Sequence, residues 1–395
     1  MKDILIISNY YPPEKGAAAN RIEQLALKLN QNGYQVSVIS PLPNYPKGEL
    51  FPEYKGKFSI TEKIQNITLK RLWIYPSNSS NIFKRIVSTF SFSTTLFFYL
   101  LFVRTPKKVI VQSPPLLLSF TAVLALWIKR KKILLNVSDL WPIAAIELGV
   151  LKENSISHKF LCFLERFIYK KASHIFGQSN EIITHIHSVF PEKKCFLYRN
   201  YPDHFIENNI EKEPHSNEPI KLFYAGLLGV AQGVYELIQN LHLENLNIEL
   251  HIFGDGAEKT QILNYLNGKQ NSKIIFHGML ERNLLHETLQ NLDIALVPLK
   301  TRIYGSVPSK IFEYTALGFP VLYFGGGEGE SIVEENKLGW VVPVEDFKGL
   351  NNTLKQISEI GKKEIQTMKK DIYIHAKKHF NLDEQMKQLI ENDAF

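Results

Sequence analysis

Short runs of aliphatic and β-branched residues alternate with helix-like stretches along this chain, and the whole alternation occurs twice. Seven such runs lie between Asp3–Ser8 and Cys195–Tyr198, and six more lie between Lys221–Tyr224 and Trp340–Val342. Continuous apolar strands separated by helices are typical of a parallel sheet that is covered on both faces. The sequence therefore predicts an α/β protein with two doubly wound domains.

A polar, proline-bounded stretch separates the two series of strands. Pro202–Pro219 is nearly free of apolar residues, which indicates an interdomain linker. The 395 residues are enough to form two hydrophobic cores. The two cysteines do not make a disulfide framework, and no cleavable apolar segment follows the N-terminus, so we expect a cytosolic protein.

Charge is distributed unevenly between the two halves of the chain. Residues 1–200 carry a formal net charge of +15, and residues 201–395 carry −8. The basic half contains Phe90–Val103 and Leu116–Ile128, apolar runs of 14 and 13 residues with basic residues at their edges. Each run is shorter than the roughly 20 apolar residues that span a bilayer. Burial against a sheet would explain either run alone, whereas both runs and the charge asymmetry together favour contact with an anionic membrane surface.

The loops that follow strands are the places to look for binding residues, because ligands of doubly wound sheets bind at the carboxyl ends of strands. After the first strand, a small-residue loop leads to Gly16, Asn20 and Arg21. This loop would let a phosphate approach backbone amides, although a connecting turn explains it equally well. Asp139 follows the aliphatic strand Ile133–Val137, and it is either a helix N-cap or a carboxylate that contacts substrate hydroxyl groups.

Two glycine-rich turns follow successive strands in the second half. Gly226 and Gly229 belong to the first turn, and Gly254 and Asp255 belong to the second. Glycine allows a backbone to approach an anion closely. Two such turns at one edge of a sheet therefore predict a ligand there.

The segment that begins at Pro308 carries the strongest cluster of polar residues. Ser309 begins a predicted helix, and Lys310 and Glu313 lie one turn apart on one face of it. Ser309 and Lys310 would add hydrogen bonds and charge where the helix dipole already favours an anion, and Glu313 can accept two hydrogen bonds from a ribose diol. The alternative is a surface ion pair between Lys310 and Glu313, which contributes only about 0.2–0.5 kcal/mol. The neighbouring glycine turns favour the binding site.

These motifs resemble those of bacterial glycosyltransferases of the GT-B fold, in the large retaining family called glycosyltransferase family 4. The resemblance covers almost the whole chain and is closest to the branch that transfers sugars such as N-acetylfucosamine in O-antigen and capsule assembly. It implies two Rossmann-like domains that face a cleft, with a C-terminal helix that crosses back to the N-terminal domain. The matching motifs are Tyr-Tyr-Pro-Pro, Ser-Asp-Leu-Trp-Pro, Tyr-Ala-Gly, Ala-Gln-Gly, Gly-Asp-Gly and Pro-Ser-Lys-Ile-Phe-Glu-Tyr.

The resemblance also assigns a role to each domain. Residues 1–202 with 373–395 would form the acceptor and membrane-facing domain, and residues 203–372 would form the nucleotide-sugar-binding domain. Two sites depart from the family pattern. Gly305 stands where the first of two family glutamates is usual, and Val230 and Gln232 replace the usual Arg and Lys of the phosphate loop. Lys310 is therefore the expected cation for the diphosphate.

The resemblance, together with these features, implies a retaining glycosyltransferase that moves a sugar from a nucleotide sugar, with UDP as the expected nucleotide, to a polyprenyl-diphosphate-linked saccharide acceptor. Asp139 and Lys310 are the predicted catalytic residues. No Asp-x-Asp motif follows a strand, so neither a metal ion nor a cofactor is expected. The predicted nucleotide-sugar contacts are Gly226, Gly229, Gln232, Gly254, Asp255, Ser309, Lys310 and Glu313, and the predicted acceptor and diphosphate loop contains Gly16, Asn20 and Arg21.

Three alternatives share some of these features. A UDP-sugar 2-epimerase has the same architecture but no use for apolar helices with basic edges, and a non-catalytic membrane scaffold would not need Lys310 and Glu313. Nucleic-acid binding is disfavoured, because the basic residues edge apolar helices and do not alternate with exposed aromatic residues on a strand surface. We expect a cytoplasmic protein that is peripheral to the inner face of the cell membrane.

Overall fold

The computed structural model describes residues 2–79, 81–206, 218–268 and 273–395. The chain divides into two compact units. The first contains Met1–Arg199, Tyr304–Ser306 and Asp383–Phe395, and the second contains Asn200–Ile303 and Val307–Leu382. The boundaries predicted from the sequence lie after residue 202 and before residue 373. Most of the predicted interdomain linker, residues 207–217, lies outside the described residues.

The first unit alternates strands and helices as the apolar runs predict. Its strands are β1 (Lys2–Ile7), β2 (Tyr34–Pro41), β3 (Ser59–Ile64), β4 (Ile67–Leu72), β5 (Lys108–Ser113), β6 (Lys132–Val137), β7 (His174–Gly177) and β8 (Lys194–Leu197). Its helices are α1 (Ala17–Gln31), α2 (Ile82–Phe102), α3 (Leu116–Ile128), α4 (Ile143–Glu147), α5 (Ile156–Lys171) and α6 (Asn180–Val189).

These strands form an eight-stranded sheet in the order β3-β4-β2-β1-β5-β6-β7-β8. Neighbouring strands are parallel except at one edge, where β3 and β4 form an antiparallel hairpin. The prediction of a purely parallel sheet is therefore wrong at this edge. Gln65 and Asn66 both have positive φ in the two-residue connection, which is the backbone of a tight hairpin turn. β3 is mostly exposed and lacks a continuous apolar run, so its sequence does not reveal it.

Helices cover both faces of this sheet. Leu5, Val109 and Leu135 belong to one core cluster with Leu96 of α2 and Leu126 of α3, and α5 and α6 contribute to the same cluster. Since consecutive parallel strands connect by right-handed crossovers, α1 covers the opposite face. The hydrophobic effect thus anchors α2, α3, α5 and α6 together on one side.

The helix α2 is longer than the sequence predicts. It begins at Ile82, where the Asn81 side chain accepts a hydrogen bond from the Phe83 amide, and it continues for 21 residues. The apolar run Phe90–Val103 therefore covers only the later part of the helix, because Lys84 and Arg85 lie in its first turn and not before it. Phe83–Phe102 has the length and composition of a membrane-crossing helix, features that core helices of soluble proteins can share.

The second unit contains a six-stranded sheet in the order β11-β10-β9-β12-β13-β14, with parallel neighbours throughout. Helices pack on both of its faces and place apolar residues in two separate core clusters. Its strands are β9 (Ile220–Leu227), β10 (Ile248–Asp255), β11 (Ile274–Gly278), β12 (Ile294–Pro298), β13 (Val321–Phe324) and β14 (Gly339–Val342). Its helices are α7 (Val234–Asn240), α8 (Lys259–Asn267), α9 (Arg282–Leu289), α10 (Ser309–Thr315), α11 (Glu328–Glu335), α12 (Phe347–Glu359) and α13 (Lys362–His379).

The last helix, α14 (Leu382–Glu391), returns the chain to the first unit. Asp383 pairs with Lys28 of α1 at 2.7 Å, and the Gln385 side chain accepts a hydrogen bond from the Arg199 amide at 2.8 Å. The Phe395 ring stacks on the Phe176 ring of β7, with 5.0 Å between the ring centroids. The predicted two-domain α/β fold with a returning C-terminal helix is confirmed.

Candidate functional site

The carboxyl edge of the second sheet contains a topological switch point. β9 lies between β10 and β12, so the chain leaves β9 toward one side and later adds a strand on the other side. Ligands of doubly wound sheets bind in the crevice beside such a point. We use the term switch-point site for the turns after β9 and β10, the loop after β12 and the first turn of α10.

Lys310 reaches into the switch-point site from α10. Its Nζ donates a hydrogen bond to the carbonyl oxygen of Ala225 near the end of β9 and lies 3.3 Å from the hydroxyl of Tyr314. Tyr314 is buried and donates to the same carbonyl oxygen at 2.6 Å. Burial raises the pKa of Tyr314 well above its ordinary value, so the phenol remains a neutral donor. The ammonium group is thereby held at the carboxyl end of β9.

The glycines of the switch-point site permit close packing of its turns. A Cβ on Gly226 would lie 2.7 Å from Cε of Lys310, and a Cβ on Gly254 would overlap with the carbonyl oxygen of Gly226. Gly254 also has a φ of +145°, which side chains rarely adopt. The sequence pattern suggests that these glycines bring the backbone close to an anion. The structure shows that they also allow β9, β10 and the Lys310 side chain to pack together.

Glu313 lies on the exposed surface of α10. Its Oε1 accepts a hydrogen bond from the Ser309 hydroxyl at 2.8 Å. Lys310 turns toward Ala225, and within the described part of the chain it forms no ion pair with Glu313. The alternative of a surface ion pair between these two residues is therefore not realised, and the carboxylate stands beside Ser309 where it can accept hydroxyl groups.

The turn after β9 carries no positive charge. Val230 is exposed, and Oε1 of Gln232 is buried without a hydrogen-bond partner among the residues that the structure describes. A Cβ on Gly229 would lie 2.7 Å from that oxygen, so the glycine makes room for the Gln232 side chain. Lys310 places its ammonium group at the end of β9, whereas Lys300, which lies beside this turn, pairs with Glu236 at 2.7 Å.

Asp255 ends β10 and engages α8. It pairs with Lys259 at 2.9 Å and accepts a hydrogen bond from the Gly256 amide at 2.8 Å. The Lys259 hydrogen bond, with that of the amide, lowers the pKa of Asp255 below its ordinary value. Asp255 is therefore an exposed, paired carboxylate. In the described ranges, no group of three His, Cys, Asp or Glu side chains could hold a metal ion.

In the first unit, Asp139 stands just beyond the end of β6. It is not the N-cap of α4, because that helix is capped at Pro142, so the N-cap interpretation is wrong. Burial raises the pKa of Asp139 to about 6, although the Ser138 hydrogen bond and the charge of Arg21 favour the ionised form. A carboxyl group with a perturbed pKa at the carboxyl edge of a parallel sheet is typical of a functional group.

A chain of polar side chains connects Asp139 to α1. Arg21 is buried, and its Nη2 donates to Oδ1 of Asn136 at 3.0 Å. Asn136 donates to Gln112 at 2.6 Å, and Gln112 donates to the Ser138 hydroxyl at 3.0 Å. The Ser138 hydroxyl lies 3.4 Å from Oδ2 of Asp139. Arg21 is predicted to belong to the loop before α1, but it lies within α1, is buried, and belongs to one network with Asp139.

Two buried charged residues, which sequence analysis misses, hold the Tyr-Tyr-Pro-Pro loop after β1. Glu14 accepts hydrogen bonds from two backbone amides of the loop after β2, at 2.9 and 3.0 Å. Arg71 of β4 donates to the carbonyl oxygen of Pro12 at 2.5 Å. These partners are distant in the chain, so no local pattern reveals them. Gly16 and Asn20 are exposed at the start of α1, at the other end of the same loop.

Comparison with known families finds a match in the second half of the chain. Residues 205–375 match the family of glycosyl transferases, group 1. The group 1 match contains β9 to β14 and therefore the whole switch-point site. A curated relative from Pseudomonas aeruginosa, described as "Probable glycosyltransferase WbjE", is 25% identical over 379 residues, which cover 91% of this chain and 90% of the relative.

Solved glycosyltransferase structures share the fold over the full chain. Sucrose-phosphate synthase from Thermosynechococcus elongatus superposes with a TM-score of 0.71 at 15% identity, and the match covers 100% of this chain and 98% of that one. Anabaena Alr3699/HepE in complex with UDP and glucose superposes with a TM-score of 0.64 at 13% identity, with complete coverage of both chains. The chain has the GT-B fold.

Gly305 stands where the resemblance leads us to expect a glutamate, and the structure leaves no space for a side chain there. Gly305 is buried with a φ of +87°, and a Cβ there would lie 2.9 Å from Ile182 and 3.2 Å from Leu140. Its amide donates to Glu181 and its carbonyl oxygen accepts from Ser179, both at 2.7 Å. A glutamate side chain therefore has no room at this position.

Proposed function

We propose that this chain is a retaining glycosyltransferase that transfers a sugar from a UDP-linked donor to a polyprenyl-diphosphate-linked acceptor in O-antigen, capsule or exopolysaccharide biosynthesis. The group 1 match and the similarity to the probable glycosyltransferase WbjE support the transferase activity. The observation that carries the proposal is the position of Lys310, whose ammonium group is held at the carboxyl end of β9 beside two glycine turns.

A nucleoside diphosphate is the ligand whose chemistry fits the switch-point site. Lys310 supplies a positive charge for the diphosphate, and the turn after β9 supplies backbone amides. Glu313, oriented by Ser309 at 2.8 Å, accepts hydrogen bonds from the ribose hydroxyls. The Alr3699/HepE structure contains UDP on the same fold, which supports UDP as the nucleotide.

Transfer breaks the bond between the anomeric carbon and the diphosphate oxygen, and the electron pair leaves with UDP. The oxygen of an acceptor hydroxyl forms the new bond to the same carbon with retained configuration, and the hydroxyl proton is released. Negative charge on the departing diphosphate is the largest change in the reaction, so Lys310 stabilises the transition state more than the bound donor. Asp139 contacts the acceptor or the transferred sugar.

A lipid-linked acceptor agrees with the charge of the first unit. Lys63–Ser138 contains 12 Lys and Arg residues and no Asp or Glu over 76 residues. Such a segment is attracted to the anionic cytoplasmic leaflet, where about 1 kcal/mol is gained for each basic residue near the surface. We therefore propose that the protein is peripheral to the inner face of the membrane.

A donor screen tests the proposed activity. Purified protein is incubated with UDP-, dTDP- and GDP-sugars, and thermal stabilisation, sugar release and anomeric products are measured. We expect UDP-sugars to stabilise the fold and to be hydrolysed slowly without an acceptor. Interconversion of the sugar at C2 without transfer would show a 2-epimerase, and no nucleotide binding would show a scaffold.

The ribose contact has its own test. Glu313→Ala should weaken UDP binding about 10- to 100-fold, because hydrogen bonds to a charged group contribute about 1.5–3 kcal/mol. Calorimetry should show a much smaller loss for 2′,3′-dideoxy-UDP, which lacks the hydroxyl groups. Glu335→Ala, an exposed carboxylate of α11, is the matched control. Equal losses for both nucleotides would remove Glu313 from the ribose site.

A further inference from the structure

The outer face of α2 is apolar, whereas the solvent-facing side of a helix is normally polar. Phe83, Ile86, Phe90, Phe98 and Phe102 are spaced by three, four or eight residues, so they lie along one face, and each is more than half exposed. We call these five residues the outer stripe. Thr94 is exposed on the same face between Phe90 and Phe98, and a largely apolar exposed surface of this kind marks an interaction site.

The opposite face of α2 is part of the protein core. Phe92, Leu96 and Leu100 are completely buried and belong to the same cluster as apolar residues of α3, β5 and β6. Lys129, at the end of α3, donates hydrogen bonds to the carbonyl oxygens of Leu100 and Val103, at 2.8 and 2.6 Å. The helix is thus fixed to the sheet along its inner side and at its C-terminal end.

The outer stripe is bordered by positive charge. Lys84 and Arg85 are exposed in the first turn of α2, and Arg104 and Lys107 are exposed just after its last turn. The acid-free segment Lys63–Ser138 contains all of them. An apolar face with basic ends is complementary to the anionic headgroups and acyl chains of a bilayer surface.

A second apolar set lies on α5, which packs against α3 as α2 does. Ile156, Phe160 and Phe163 are spaced by four and three residues, and each is more than half exposed. The Phe163 ring lies 6.5 Å from the Phe120 ring of α3. The helices on both sides of α3 therefore present apolar residues away from the sheet.

We infer that the outer stripe of α2 lies in the plane of an anionic membrane surface, inserted among headgroups and upper acyl chains, and that α2 does not cross the bilayer. This inference rests on the proposed function, because a lipid-linked acceptor must be reached at that surface. Insertion of an interfacial helix is shallow, about 5–10 Å. The outer stripe can enter to that depth while the inner face stays in the core.

Two other arrangements are less compatible with the structure. Phe83 and Phe102 are about 28 Å apart along the helix, which is close to the roughly 30 Å of a hydrocarbon core. Crossing would require Phe92, Leu96 and Leu100 to leave the protein core. A second copy of this chain on the outer stripe would bring two sets of basic residues together, which disfavours a dimer through this face.

Vesicle binding tests the surface. Flotation with vesicles of phosphatidylcholine and about 30% phosphatidylglycerol should capture the protein at low salt and less of it at high salt. The triple variant Phe83→Gln, Phe90→Gln and Phe98→Gln should bind at least about tenfold more weakly. Replacing Lys84 and Arg85 with Gln should weaken binding roughly 25-fold at low salt, since each charge contributes about fivefold.

A matched control uses exposed apolar residues of the second unit. The triple variant Met279→Gln, Leu284→Gln and Ile374→Gln changes a comparable number of exposed side chains and should bind vesicles like the unchanged protein. Equal vesicle binding by the outer-stripe variant and the unchanged protein would overturn the inference. If the unchanged protein and the control variant form a concentration-dependent dimer and the outer-stripe variant does not, this face binds a second copy of the chain. That result would also overturn the inference.

Membrane extraction distinguishes lying on the bilayer from crossing it. Full-length protein expressed in bacteria should be released from isolated membranes by alkaline carbonate. Retention until detergent is added would show that α2 crosses the bilayer, and the inference would fail. UDP binding is measured on each variant. Normal UDP binding by protein that ignores vesicles would contradict the membrane inference alone, whereas loss of UDP binding by the unchanged protein would contradict the proposed transferase function.

Discussion

The two units use a similar sheet but place their charged side chains differently. In the second unit, Lys310 and Glu313 lie at the carboxyl edge of the sheet, where Glu313 is exposed and Lys310 is half-buried. In the first unit, Glu14, Arg21 and Arg71 are buried beneath that edge and hold loops together. These charges of the second unit stand at the edge where the proposed function places a donor, whereas those of the first unit hold its own backbone. The second unit has buried charge of that kind as well, because Lys369 is buried and donates to the Leu292 carbonyl oxygen.

The two units also differ in the apolar residues that they expose. The first unit exposes the outer stripe of α2 and the apolar set of α5, with basic residues at the border. Under the proposed function, this contrast separates two tasks. The second unit binds a small anionic donor at the carboxyl edge of its sheet. The first unit holds the loop after β1 in place and presents a membrane-binding surface for a lipid-linked acceptor.

The largest effect on stability is expected where the first unit buries a charge. Arg71→Met should lower the free energy of unfolding by about 2–4 kcal/mol, because it removes the ion pair with Glu62 at 2.6 Å and leaves the Pro12 carbonyl oxygen without its donor. Urea denaturation measures the loss. Lys63→Ala, an exposed residue of β3, should change stability by about 0.5 kcal/mol or less. Similar stabilities for both variants would contradict the structural role of buried charge in this unit.

The corresponding charge of the second unit should affect activity more than folding. Lys310→Ala should lower kcat about 100- to 1000-fold, because the departing diphosphate loses its cation. The melting temperature without donor should change much less than in Arg71→Met. Lys355→Ala, an exposed lysine of α12, is the control for general charge loss. A turnover within a few-fold of the unchanged protein would show that another group stabilises the leaving group.

The glycine packing of the second unit should be the next most sensitive feature. Gly254→Ala should destabilise the fold by about 2–3 kcal/mol, because the added Cβ overlaps with the Gly226 carbonyl and the backbone has a positive φ. UDP affinity, measured by calorimetry at low temperature, should fall as well. Gly268→Ala is the control, because a Cβ at Gly268 would lie 3.7 Å from the nearest atom, which is an ordinary van der Waals contact. Equal melting temperatures for the two variants would show that β9 and β10 tolerate separation.

The smallest and most diagnostic effect is a gain in stability. The pKa of Asp139 is about 6 in the folded protein, against 3.8 for an aspartate in an unfolded chain, so folding favours its protonated form. That stabilisation is complete below about pH 4 and is lost as the pH rises through 6. Asp139→Asn should therefore raise the free energy of unfolding by about 1–3 kcal/mol above pH 7 and leave it unchanged at pH 4.

The same variant tests the function of Asp139. Loss of most transfer activity together with the gain in stability would identify a carboxylate that is kept charged for function at a cost in stability. Chemical denaturation at pH 4 and pH 8 and transfer assays at pH 8 provide the measurements. Full activity in Asp139→Asn would return this residue to a purely structural role.

Local patterns account for much of the fold and for the location of the candidate site. The apolar runs predict most strands of both sheets, and the segment after Pro308 predicts the helix that carries Lys310 and Glu313. They do not predict β3, which is too exposed to form an apolar run, or the full length of α2. Both errors arise where solvent exposure of an element depends on its neighbours and not on its own residues.

The sequence alone determines the two α/β domains and the glycine turns at strand ends, because strand and helix periodicity and turn chemistry depend on residues that are close in the chain. The tertiary structure decides which charges are buried and which face of α2 is exposed. Arg21 meets Asn136, and Arg71 meets Pro12, across separations of 115 and 59 residues. Burial and pairing depend on such distant partners, and no local pattern contains them.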